Sequence, residues 1–177
     1  MKCLYLLLIP FVGHSQELPK DNGLVVYEKI LEIDSLSKDD IYTYSKRWLS
    51  IRFKNAAQAI QSDDKEAGEI VSMGSMEVKN PEIRNISMWK ILLDFKILIN
   101  AKDGRARIRF HEVNRLSEGE YDYYRTPIES IETYYKQVKS KRKAESWEKL
   151  ASSINNDFNM LMEDYSTSIT EYSADKF

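Results

Sequence analysis

Residues 88–101 read MWKILLDFKILINA and run directly into Lys102-Asp103-Gly104-Arg105. Trp89, Ile91, Leu93, Phe95, Ile97, Ile99 and Ala101 occupy one set of alternate positions, and Lys90, Asp94, Lys96 and Asn100 fall in the other. A helix would scatter these residues around its axis, whereas a strand sorts them onto two faces. Asp-Gly is a favoured two-residue hairpin turn. Turning there sets Lys102 against Arg105, then Ala101 against Ala106, Ile99 against Ile108 and Ile97 against Phe110. A slip of one residue would press Ile108 and Phe110 onto the polar face, so the register is self-checking. The stretch predicts a central hairpin in an antiparallel sheet with one apolar face.

Toward the N-terminus, residues 70–78 are apolar-rich and strand-like, and residues 56–61 read as a short strand before them. The link between them carries Asp63, Asp64 and Glu66, which a turn between strands accounts for. Gly74 inside the apolar run suggests a bulge or a bend. Ser37 followed by Asp40 is close to a capping box. Ile41, Tyr44, Trp48 and Ile51 then recur at helical spacing, which predicts a helix over 38–53. Residues 24–33, LVVYEKILEI, alternate as a half-buried strand after the turn-rich PKDNG at 19–23.

Toward the C-terminus, residues 117–125 form a polar, tyrosine-rich loop or short edge strand. Thr126-Pro127 opens a helix whose stripe is Ile128, Ile131, Tyr135 and Val138. Lys139 to Lys143 make a basic break. Trp147, Leu150, Ile154, Phe158, Leu161 and Tyr165 then predict a long helix over 145–165, with a polar, frayed tail to Phe177. Hairpin-linked strands with segregated helices define an α+β fold: an antiparallel sheet of about five strands, helices on one face, and a long C-terminal helix.

The chain has 177 residues, 42% of them hydrophobic, with a net charge of −2. This suits a single domain large enough to bury a core, and nothing in the charge points to nucleic acid. Residues 1–16, MKCLYLLLIPFVGHSQ, pair Lys2 with a short apolar run and place Gly13 and Ser15 at −3 and −1 of a cut before Gln16. That is the pattern of a secretory signal peptide, and the run is too short to span a bilayer. Export to the periplasm or beyond is therefore expected. Removing residues 1–15 takes away the one cysteine, His14 and one of 26 basic residues but none of the 28 acidic ones. The remaining chain has no disulfide to form and a single histidine, His111.

Several phrases in this order carry a resemblance. They are the leader ending in Ser-Gln, LPKDNGLVVYEKILEI, LSKDDIYTYSKRWL, DDKEAGEIVSMGS and the hairpin INAKDGRARIRF, together spanning residues 18–135. The chain resembles a secreted domain of unknown function, found mainly in Bacteroidetes, with a TBP-like fold. The resemblance implies a curved antiparallel sheet with helices on its convex side. It implies no activity, and TATA-box binding does not follow, since a fold is not a function. On this reading residues 1–15 are the leader, 18–140 the TBP-like domain, and 141–177 a C-terminal helix and tail packed on it or extending it.

Candidate sites are few. Asp63, Asp64 and Glu66 lack the alternating spacing of a calcium loop and have Lys65 among them. Neighbouring carboxylates on one turn do not make a glycosidase pair, and Gly68 and Gly74 do not make a phosphate loop. One histidine without cysteine cannot build the usual zinc sites, so no metal or cofactor is expected. A triad on His111 has no nucleophile-elbow signature.

The hairpin register places Lys96, Lys102, Arg105, Arg107, Arg109 and His111 together, opposite the apolar core face. Either this is a solvated sheet face with its arginines paired to Glu28, Glu32 or Glu77, or it takes an anionic partner. An exported, acidic chain argues against nucleic acid; a polyanionic glycan, a lipid headgroup or an envelope protein fits better. Tyr121, Tyr123 and Tyr124 form a second candidate, for stacking on a sugar or a partner.

The expectation is a non-enzymatic binding module that uses the open face of its sheet. The alternatives are an envelope hydrolase using His111 or Asp63/Asp64, and a structural subunit that self-associates through the C-terminal helix.

Overall fold

The computed structural model describes residues 17–53, 60–80, 90–119 and 123–174. The central hairpin forms as the alternation requires: β6 (Lys90–Lys102) pairs antiparallel with β7 (Arg105–Glu118). Lys102 faces Arg105, Ala101 faces Ala106, Ile99 faces Ile108 and Ile97 faces Phe110. Gly104 takes a φ of +71° at the turn, which glycine adopts at no steric cost. Trp89 lies outside the described residues.

Around this hairpin the sheet has six strands. β3 (Tyr27–Glu32) flanks β7, and β5 (Glu69–Lys79) followed by β4 (Ile60–Asp64) flanks β6. β8 (Tyr123–Pro127) joins β7 beyond the end of β3, giving one strand more than expected. The apolar lead-in splits in two. Asn22 (φ 51°) and Gly23 (φ 84°) close a small hairpin of β1 (Lys20–Asp21) and β2 (Leu24–Val25) before β3 begins. Asn-Gly is the preferred pair for such a turn.

Helix α1 (Lys38–Arg52) starts at the Ser37 capping box with Asp40. Asp103 of the hairpin turn also accepts a bond from the Lys38 backbone N–H at 2.7 Å, so the turn caps the helix. Helix α2 (Ile128–Gln137) begins after Pro127. The final helix, α3, runs over Lys141–Ala174, further in both directions than the stripe predicts. The basic residues Lys141 to Lys143 lie inside it and the break falls at 138–140. The polar tail is helical as far as Ala174 because Ile169 is buried and Tyr172 packs against Tyr44 and Arg47 of α1.

Helices α1 and α3 cover one face of the sheet. Phe158 of α3 stacks on Tyr27 and packs edge-on against Phe95, and Tyr165 packs against Trp48 of α1. The core is dominated by these rings together with Phe110, Leu93, Ile97, Ile99 and Ile108, all fully buried. Three of its polar side chains are paired: Ser45 and the Tyr165 hydroxyl share a bond of 2.8 Å, and the Trp48 indole donates to Asp164 at 2.8 Å. The C-terminal stripe is thus spent on the chain's own sheet rather than left exposed for a second subunit. No described helix is long and apolar enough to cross a membrane.

Gly74 marks no bulge. It pairs in register with Phe95, and a Cβ there would sit 2.6 Å from the Phe95 ring and 3.1 Å from Phe53 and Ile97. The absent side chain makes room for the ring cluster. The irregularities fall elsewhere, in β4 between Ile60 and Ser62, and across β6 and β7 near Asp94, where Glu112 takes a φ of 51°.

Candidate functional site

Strand alternation sends the side chains that do not meet α1 and α3 to the opposite, outer face. The pairing arranges them in rows across β6, β7 and β3. Lys102, Arg105 and Glu32 form the row at the hairpin turn; Asn100, Arg107 and Ile30 the next; Leu98, Arg109 and Glu28 the third; Lys96 and His111 the last. On β5, Glu69, Val71 and Met73 extend the last three rows beside Asn100, Leu98 and Lys96. The hairpin register therefore assembles Lys96, Lys102, Arg105, Arg107, Arg109 and His111 on one surface, as the sequence predicts.

The cations on this surface are not equivalent. Arg109 reaches Asp21 at 2.5 Å and Glu28 at 3.5 Å. Lys96 reaches Glu112 at 2.8 Å because the bulge aims that carboxylate back across the strand. His111 lies 3.7 Å from the same carboxylate. Its pKa is lowered from 6.5, chiefly by burial; Glu112 opposes the shift, and Lys96 and Arg109 add to it. Burial therefore favours its neutral form. Arg105 bonds Glu32 at 2.6 Å, and its hydrogen bond holds the Glu32 carboxyl below the usual carboxylate range. Glu28 and Glu32 are the partners the sequence suggests; Glu77 is not, because it pairs with Lys90 on the neighbouring strand.

Arg107 is held differently. Its Nε and Nη2 donate to the amide oxygen of Asn100 at 3.1 and 2.7 Å, and the Asn100 amide nitrogen donates to Glu69 at 3.0 Å. The nearest carboxylate, on Glu28, is 4.0 Å away. Beside it a hollow of about 280 Å³ is lined by Ala67, Asn100, Ala101, Lys102, Arg105 and Arg107. The β4–β5 turn forms one wall. Gly68 accepts a bond from the Ala101 backbone N–H at 2.7 Å, and the Ala101 carbonyl oxygen, 2.4 Å from a would-be Cβ, leaves no room for a side chain. Asn100 and Ala67 are the members the sequence reading overlooked. Asn100 sits on the polar side of the founding strand, but an uncharged residue gave no signal as a clamp.

The acidic stretch resolves into two unrelated roles. Asp63 and Asp64 belong to β4, and the turn proper is residues 65–68. Asp63, paired opposite the buried Ile70, turns toward α1 and meets Lys46 at 2.5 Å. Asp64 points the other way along the alternation and accepts from the Ala67 backbone N–H at 2.9 Å. The two carboxylates do not converge with each other or with His111, and no group of three or more potential metal ligands gathers among the described residues. The tyrosines also separate. Tyr123 and Tyr124 are successive residues of β8, exposed on opposite faces of the strand, and Tyr121 lies outside the described residues.

Elsewhere on the outer face Asp94 is buried, and its Oδ2 accepts from Arg125 of β8 at 2.6 Å. On the helical side Glu132 is buried too. Burial works against its charge, but hydrogen bonds from Lys20 and Lys136 prevail and hold its carboxyl below the usual range.

The architecture is a six-stranded antiparallel sheet with helices on one face and the other face uncovered by α1 or α3. The chain belongs to the family described as a domain of unknown function (DUF4468) with TBP-like fold, whose model matches residues 27–115. Two solved structures share the fold. One is a TBP-like protein from Parabacteroides distasonis, 16% identical, with a TM-score of 0.66 over 86% of this chain and 96% of its own. The other is a DUF4468 family protein from Bacteroides ovatus, 21% identical, with a TM-score of 0.63 over 89% of this chain and 91% of its own. None of the curated proteins compared matches the chain.

Proposed function

We propose that this chain is an exported, non-enzymatic binding module that holds an envelope protein or an anionic ligand on the outer face of its sheet. The observation that carries the reading is the division of labour between the two faces. One face is consumed by α1 and α3. The other presents half-exposed Arg107 and Arg109 beside the half-exposed aliphatics Leu98, Val71 and Met73 and the exposed Ile30. A sheet face that mixes aliphatic surface with fixed arginines has the composition of a recognition surface, since arginine is enriched where partners dock and its fork matches carboxylates and phosphates. The leader-like residues 1–15 support an envelope address. The separation of His111, Asp63 and Asp64 favours this reading over a hydrolase built on them.

The test is capture from envelope extract by residues 16–177, run beside the variant Arg105→Ser, Arg107→Ser, Arg109→Ser. A partner held by the parent chain and lost by the variant is the expected result. Equal capture by both would move binding off this face.

A further inference from the structure

We propose that the hollow at the turn end of the outer face is a site for one compact oxyanion, a carboxylate or a phosphate group, captured by Lys102 and Arg107. The proposal rests on the outer face being the binding face and gives that face a ligand chemistry.

The charge distribution locates the site. Along β7 the outward positions recur about every 6.8 Å, so the basic residues could in principle track a polyanion. They do not form a uniform track. Arg109 and Lys96 each end on carboxylates, at 2.5 and 2.8 Å, and carry little uncompensated charge. At the turn end the balance is different. Lys102 is exposed and has no ion pair among the described residues. Arg107 is clamped through two of its nitrogens by a neutral acceptor, Asn100, whose own orientation is set by Glu69. A neutral clamp fixes a guanidinium without cancelling its charge, which among the described residues is met only by Glu28 at 4.0 Å. The entropy of ordering the side chain is met before a ligand arrives, which is how a preorganised donor gains affinity. Arg105 adds a third cation, and its tie to Glu32 is exposed to solvent and therefore weak.

The dimensions agree with a single group. A volume of about 280 Å³ lies just below the roughly 300–1,000 Å³ of sites that enclose a whole drug-sized ligand. It exceeds the ~30 Å³ share of one water many times over. Ala67 with its small side chain and the backbone at Ala101, whose own side chain faces the core, leave the space open. The hollow suits the charged end of a ligand whose remainder lies across Ile30 and Leu98.

The experiment is a ¹⁵N NMR titration of residues 16–177 with inorganic phosphate and, separately, with acetate, chloride being exchanged to keep ionic strength constant. Saturable shifts at the amides of residues 67–69 and 100–107 are expected with at least one anion, and the stronger response tells phosphate from carboxylate. Lys102→Gln touches no ion pair among the described residues and should keep the parent melting temperature while weakening binding about tenfold. Asn100→Ala should weaken it as well by releasing Arg107.

Shifts spread over the whole basic face, no saturable response to either anion, or an undiminished response in Lys102→Gln would overturn the site. Partner capture that depends on the arginines, without anion binding at the hollow, would sink this site and leave the binding module standing. Anion binding here without any capture would do the reverse.

Discussion

At the residue scale, two glycines carry the most exposed claims. A Cβ at position 74 would meet the Phe95 ring at 2.6 Å. Gly74→Ala overpacks the ring cluster and should cost about 1–3 kcal/mol, read as a lower urea midpoint at unchanged slope. Gly68 combines a φ of +68° with a carbonyl oxygen 2.4 Å from its would-be Cβ. Backbone cannot swing aside as a ring can, so Gly68→Ala should destabilise more than Gly74→Ala. The same variant should also distort the hollow.

His111 makes a pH prediction. Its folded pKa lies below 6.5, so the unfolded chain takes up the proton first as pH falls. The contribution is complete above about pH 6.5 and is lost as pH drops through the window between 6.5 and the lower folded value. Urea melts from pH 7.5 to 5 should show this decline, and His111→Gln should flatten it. A steeper decline in the variant would contradict the assignment.

At the scale of elements, α3 is the test of how the core is built. Phe158 touches Tyr27, Phe95 and Phe110 from three strands. Phe158→Ala should cost about 3–5 kcal/mol, whereas Met160→Ala, two residues on and exposed, should be near neutral. If both cost little, the helix would be an appendage rather than half of the core.

The element scale also shows what could be read in advance. The β6–β7 register was legible because side-chain period, apolar identity and an Asp-Gly turn agree on one answer. The start of α1 was legible because Ser37 and Asp40 cap it reciprocally. The ends of α3 were not, since Ile169 and Tyr172 are too widely spaced in a polar tail to stand out without their partners on α1 and the sheet. Nor was Gly74, because a missing side chain in a strand reads the same whether it relieves a bend or admits a ring. In the candidate site the cations were legible from alternation alone. Their inequality was not, because it depends on Asp21, Glu112 and Asn100, which only the pairing and the bulge bring within reach.

At the scale of the whole molecule, the fold sets up an asymmetry. The helices bury one face of the sheet in an aromatic core, and the uncovered face keeps its arginines in order with strand pairing and ion pairs. Recognition on that uncovered face is the central proposal. The absence of cysteine after residue 15 makes the claim directly testable. A single cysteine is placed at Ile30, half-exposed on the outer face opposite Arg107, or at Met160, exposed on the far side of α3. Each is coupled to a bulky maleimide, and partner capture is measured before and after labelling. The label at position 30 should abolish capture, and the label at position 160 should leave it intact. Capture that survives at 30 but fails at 160 would place recognition on the helical side and contradict the proposal.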